Sequence, residues 1–146
     1  MDETLIRMME LGGKGYYCSQ ILITLALEER GESNPGLVRA MAGLAYGCGN
    51  SRATCGALTG GNCVLALYAG KGSDDEGESE RLFAMMQELS DWFIEQAGER
   101  HGGISCESIV GEAGPEASRQ ICGSLVAETY NKAREILLSS GFDLAG

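Results

Sequence analysis

The sequence predicts an all-α fold, a single-domain bundle of about six helices with a glycine- and cysteine-rich loop before the fourth. Three observations point there. Apolar residues recur at three- and four-residue spacing in segment after segment, the period of a helix with one buried face. Twenty-two glycines and two prolines punctuate these segments, several where helices start and stop. No stretch shows the persuasive period-two alternation of a half-buried strand. At 146 residues and 44% hydrophobic content, the chain is long enough and apolar enough to fold around one core.

The first helix is expected over Asp2 to Leu11, with Leu5, Ile6, Met8, Met9 and Leu11 on a broad apolar stripe before Gly12-Gly13. Its methionines read as core filler. A second helix runs from Tyr16 to Arg30, burying Ile21, Leu22, Leu25 and Ala26, with Cys18 in its first turn. Asn34-Pro35 can open the third helix, which continues through Val38, Met41, Leu44 and Ala45 to Tyr46.

The stretch Gly47 to Gly61 follows, with two cysteines, five glycines and Arg52 in fifteen residues. Thr54 is the expected N-cap of a fourth helix, Cys55 to Ala69, because its hydroxyl can accept from an unpaired amide. Cys55 then falls in the first turn, where free amides and the helix dipole favour a thiolate. This makes Cys55 a candidate reactive or metal-binding sulfur, set against the reading of Cys48, Cys55 and Cys63 as small buried hydrophobes. Interior glycines at 56, 60 and 61 cost about 1 kcal/mol each against alanine, so close helix packing or a ligand must offset them. Cys55 and Cys63 lie roughly 80° apart around the helix and about 12 Å along it, too far to share one ion.

Lys71 to Ser79 reads as an acidic, solvated connector, without the ligand spacing of a calcium loop. Glu80 to Ala97 forms a fifth, amphipathic helix with Leu82, Phe83, Met86, Leu89, Trp92 and Phe93 on one face and Trp92 as a core anchor. His101, the one histidine, falls in a glycine-rich break and reads as solvent-facing. Ile104 to Gly111 is a short helical turn carrying Cys106. Pro115 opens the last long helix, which carries Cys122 and runs to Gly141.

Charge narrows the function. The net charge is −10 and the isoelectric point about 4.5, which argues against nucleic acid and against anionic membrane surfaces. The N-terminal residues lack a signal-peptide pattern, and the apolar run Ile21 to Leu27 is too short to span a bilayer. A cytoplasmic location is expected, where six cysteines stay reduced and bind metal, do redox work or fill space. There is no CxxC pair, no CxxCH haem site, no phosphate-binding glycine loop and no serine nucleophile motif. What remains is sulfur.

Cys55-Gly56-Ala57-Leu58-Thr59-Gly60 supplies a CGAxxG motif, preceded by Cys18 and followed by Cys106 and Cys122. In this the chain resembles the family of putative redox-active proteins named for the pattern C_GCAxxG_C_C, over about Tyr17 to Leu138. The resemblance implies a small helical protein in which Cys18, Cys55, Cys106 and Cys122 converge as the catalytic and metal-binding set. It implies electron transfer through an iron–sulfur cluster, or thiol/disulfide exchange with Cys55 as nucleophile. Some relatives contain c-type haem, and only their cysteine site carries over here. Cys48 stands where glycine is expected and can reach the site across the loop, so it counts among the cofactor-binding candidates. Cys63 reads as inert. Arg52 and Arg119 are either helpers of a thiolate or plain solvated charges. The redox partner, protein or small molecule, is unspecified, and a homodimer is one expectation. The alternative is a non-catalytic structural metal-binding or partner-binding module.

Overall fold

The computed structural model describes residues 3–146, the Glu116 side chain excepted. Seven helices carry the fold: α1 (Glu3–Gly13), α2 (Cys18–Glu29), α3 (Pro35–Met41), α4 (Gly56–Ala69), α5 (Leu82–His101), α6 (Cys106–Val110) and α7 (Pro115–Ser139). The fold is all-α. Among the described residues the only strand-like pairing is one isolated antiparallel bridge, Thr54 to Ser105.

Helix α4 is the axis. It packs against α2, α5 and α7, and its glycines make this approach close. A Cβ at Gly60 would stand 3.0 Å from Leu22 Cδ1 and from the Ser19 backbone; one at Gly61 would stand 2.9 Å from Leu89 and from Thr129. Of the two explanations for interior glycine, helix packing holds at these positions. The contacts also give direction. Ser19 meets Gly60 while Arg30 stacks on the Tyr68 ring at 4.7 Å, so α2 and α4 are parallel. Thr129 meets Gly61, and the Tyr68 hydroxyl donates to the Leu144 carbonyl beyond α7 (2.7 Å), so α7 is parallel as well. Helix α5 runs back: Ser79 donates to Ala69, Leu89 meets Gly61, and the Ile104 carbonyl accepts from Cys55. The N-terminal ends of α2, α4 and α7 therefore lie at one end of the bundle.

Leu22, Leu65, Leu89, Phe93, Ile136 and Leu137 are fully buried in the shared core. Burial of each such side chain is worth about 1.5–3 kcal/mol. The opposite end is tied by Glu29, which accepts from the Tyr130 hydroxyl (2.8 Å) and pairs with Arg134 (2.6 Å).

Several expectations shift. The expected start at Asp2 lies outside the described residues, and α1 buries only Met8 and Leu11, leaving Ile6 and Met9 exposed. Helix α2 starts later than expected, with Tyr17 as its N-cap. Helix α3 begins at Pro35, capped by Asn34 Oδ1 on the Leu37 amide (3.1 Å), and ends at Met41 rather than Tyr46. The Met41 carbonyl accepts from the buried Ser19 hydroxyl (2.7 Å); a 3₁₀ turn, Ala42–Leu44, follows. The chain then enters the left-handed region at Tyr46, Gly47, Cys48, Gly49 and Ser51. Helix α5 runs through Gly98 to a left-handed C-cap at Gly102. Its buried line is Met85, Leu89, Phe93 and Ala97; Phe83 is 67% exposed, and Trp92 is half-buried beside Phe93 rather than central.

Candidate functional site

Three of the six cysteines sit at helix starts. Cys18 is the first residue of α2 after its N-cap, Tyr17; Cys106 is the first of α6 after its N-cap, Ser105; and Cys55 is itself the N-cap of α4. This last point corrects the expectation for Thr54. The Cys55 Sγ accepts from the Ala57 amide (3.4 Å), a weak sulfur bond in place of the hydroxyl cap, while Thr54 is spent on the bridge to Ser105. Cys122 lies two turns into α7.

Backbone hydrogen bonds hold the two middle cysteines side by side. The Cys55 amide donates to Ile104 (2.8 Å), the Cys106 amide to Ala53 (3.3 Å) and the Glu107 amide to Ser51 (2.7 Å). The loop before α4 and the loop before α6 are thereby stitched into one platform. Gly47 is required there: its φ is +56°, and a Cβ would fall 2.5 Å from the Ala53 carbonyl. Gly56 is the second necessity, because a Cβ would collide with Cys18 Sγ at 2.6 Å.

The thiols also influence one another's titration. Burial pushes the Cys18 thiol up to about 12, and charge on Cys55, Cys122 and Cys106 adds to it, against an opposing hydrogen bond from the Ser19 backbone. Burial pushes Cys55 up to about 11; the amides of Ala57 and Leu58 oppose this, and Cys122 and Cys106 reinforce it. Cys122 is raised by burial and then by Cys106, and Cys106 by burial. Every pairing among these four thiols is felt. At Cys55 the sequence led to the expectation of a thiolate; in the metal-free protein desolvation acts against it and outweighs the amides at the helix start.

The other two cysteines lie apart. Cys48 is exposed in the left-handed turn. Cys63 is half-buried beside a 250 Å³ apolar groove with Ile23, Met41 and Leu67, raised by burial alone. Arg52 and Arg119 are exposed, and His101 ends α5 half-buried.

Residues 16–136 match the family described as putative redox-active protein (C_GCAxxG_C_C). The chain belongs to that family. No curated protein and no solved structure matches it. The C_GCAxxG_C_C match takes in all four facing cysteines and every helix except α1 and the last residues of α7.

Cys18, Cys55, Cys106 and Cys122 are soft sulfur donors of the type that iron–sulfur clusters take, and the Ala57 amide already donates to Cys55 Sγ. Among the described residues, no three of the histidine, cysteine and carboxylate side chains stand ready around one ion. Residues missed from sequence hold the site from behind. The Gln20 Oε1 accepts from the Tyr17 amide (3.1 Å), and Ser105 Oγ accepts from Ser108 (3.0 Å), capping the helix that starts with Cys106. The second was readable as a serine N-cap. The first needed the Gln20 side chain to fold back, which spacing alone does not reveal. No helix among the described residues is long and apolar enough to cross a membrane.

Proposed function

We propose that this chain is a cytoplasmic electron-transfer protein in which Cys18, Cys55, Cys106 and Cys122 ligate one iron–sulfur cluster. The observation that carries this reading is the placing of motif cysteines at adjoining helix starts: backbone bonds stitch the Cys55 and Cys106 loops together, and Cys18 Sγ sits where a Cβ at Gly56, next to Cys55, would be. Burial and mutual repulsion hold the protons on these thiols, so a metal must displace them; a bound cation relieves the repulsion among the thiolates, and loading should strengthen as pH rises. When bound, the cluster would supply a one-electron couple, taking an electron from a donor and handing it to an acceptor. The chain's own part is to deliver four thiolates from the starts of α2, α4 and α6 and from α7. The amides of Ser19, Ala57 and Leu58 would remain as hydrogen-bond donors to sulfur, a known lever on potential. Burial of Cys55, 6% exposed, keeps water from that side.

The test is anaerobic purification of the untagged chain, with iron, acid-labile sulfide and zinc analysis and a visible spectrum. Iron and sulfide in equal ratio, with colour lost in Cys55→Ala and kept in Cys63→Ala, is the expected result. Protein that holds no cluster even after reconstitution with iron and sulfide sinks the reading. Tightly bound, colourless zinc would instead indicate the structural alternative. A metal-free chain could still do thiol/disulfide exchange, two thiols giving a disulfide, two protons and two electrons to an oxidant. Mass mapping of a reversible pair among the four cysteines would decide that.

A further inference from the structure

Away from the four motif cysteines, a 590 Å³ cleft lies between α2 and the segment that leads into α3, a volume suited to a small molecule. Gln20, Thr24 and Leu27 line it from one stripe of α2, at i, i+4 and i+7. The Thr24 hydroxyl is buried with no hydrogen-bond partner among the described residues, a state that calls for one. Leu27, Pro35 and Val38 give the cleft apolar walls.

Two carboxylates border the cleft, and both are paired: Glu28 by a two-pronged contact from Arg7 (3.0 and 2.7 Å), which Arg7 shares with Glu10 (3.0 Å), and Glu32 by Arg30 (2.9 Å). Arg39 also lines the cleft, and its guanidinium makes no ion pair or side-chain hydrogen bond among the described residues. Counting Glu10, these charges balance, and what singles out Arg39 is its unpaired guanidinium rather than a net positive charge.

We propose that this cleft binds a small apolar carboxylic acid, its carboxylate on Arg39, its hydrocarbon body against Leu27, Pro35 and Val38. A guanidinium offers a planar fork that matches a carboxylate, and the apolar walls reward a ligand that is not simply an ion. The Thr24 hydroxyl supplies a polar partner at the helix side. The cleft is also tied to the cysteine end of α2, since Gln20 donates to the Val38 carbonyl (3.2 Å) while accepting from the Tyr17 amide beside Cys18. The binding itself does not depend on the redox reading.

The experiment is a nitrogen-15 amide titration of the full chain with benzoate, and with benzamide as the neutral isostere, at constant ionic strength. Benzoate should give saturable shifts centred on Thr24, Val38 and Arg39, with benzamide at least about tenfold weaker. Arg39→Gln, on an exposed position, should weaken benzoate by a similar factor, whereas Arg52→Gln should leave it unchanged. The proposal is overturned by shifts that do not saturate, by equal binding of benzamide, or by equal effects of the two arginine variants.

Discussion

The Cys18 sulfur occupies the space that a side chain at position 56 would need; a Cβ there would stand 2.6 Å from Sγ and 3.0 Å from the Leu44 carbonyl. The glycine of the CGAxxG motif is therefore a seat for the first cysteine as well as a helix start. Gly56→Ala should destabilise the chain by about 1–3 kcal/mol, since overpacking displaces either the sulfur or the backbone. Gly12→Ala, whose Cβ would meet nothing within 4 Å inside α1, should instead gain up to about 1 kcal/mol. Urea midpoints of the two variants check this, and a Gly56→Ala midpoint equal to that of the parent would show that the sulfur has room to move.

Cys48 adopts φ +60°, between two glycines that are also left-handed. A non-glycine residue pays roughly 1–2 kcal/mol for that conformation. Cys48→Gly should raise stability by up to about 1 kcal/mol, part of the relief being offset by the freer unfolded chain. With the proposed ligands Cys18, Cys55, Cys106 and Cys122, it should leave iron loading intact. A loss of iron on this substitution would return Cys48 to the site.

The order and identity of the helices were legible because their apolar spacing, caps and breaks agree with one another. Pro35 after Asn34, and Pro115 after Gly114, open helices as their missing amides and fixed φ dictate. The failures cluster where long-range contacts override local pattern. Met41 ends α3 where its carbonyl meets the Ser19 hydroxyl, a residue 22 positions earlier, and no local signal shows this. Thr54 looks like a better cap than Cys55, yet pairing with Ser105 turns the chain so that the sulfur takes the amide. The cysteine set came from the ordered motif, not from spacing. The exposure of Cys48 and the burial of Cys55 required coordinates, since burial is not written in the sequence.

At the far end of the bundle, Tyr130 is 2% exposed and its hydroxyl donates to Glu29, which Arg134 also holds. Tyr130→Phe removes a hydrogen bond to a charged acceptor while keeping the ring, so a loss of about 1.5–3 kcal/mol is expected. Arg134 still neutralises Glu29 in that variant, which places the loss toward the lower end. Chemical denaturation measures it, and an unchanged midpoint would mean that water replaces the phenol at no cost.

The raised thiols give the metal-free protein an alkaline weakness. An unfolded cysteine loses its proton near pH 8.5, whereas burial and neighbouring sulfurs hold the Cys55 proton to about 11 and that of Cys18 to about 12. Above pH about 8.5 the unfolded chain releases protons that the folded chain keeps, so stability falls as pH rises through that window; below it, the contribution is fully present. Tyr130, also raised by burial and by its bond to Glu29, adds to the same decline only above about pH 10. Cys18→Ala should therefore flatten the fall between pH about 8.5 and about 10 relative to the parent, in urea midpoints taken on metal-free protein. Alkylation should follow the same order, with exposed Cys48 modified first at neutral pH and Cys18 and Cys55 last. A parent whose stability is flat across that window, or whose Cys55 is alkylated as fast as Cys48, would contradict the burial that sets these thiols apart.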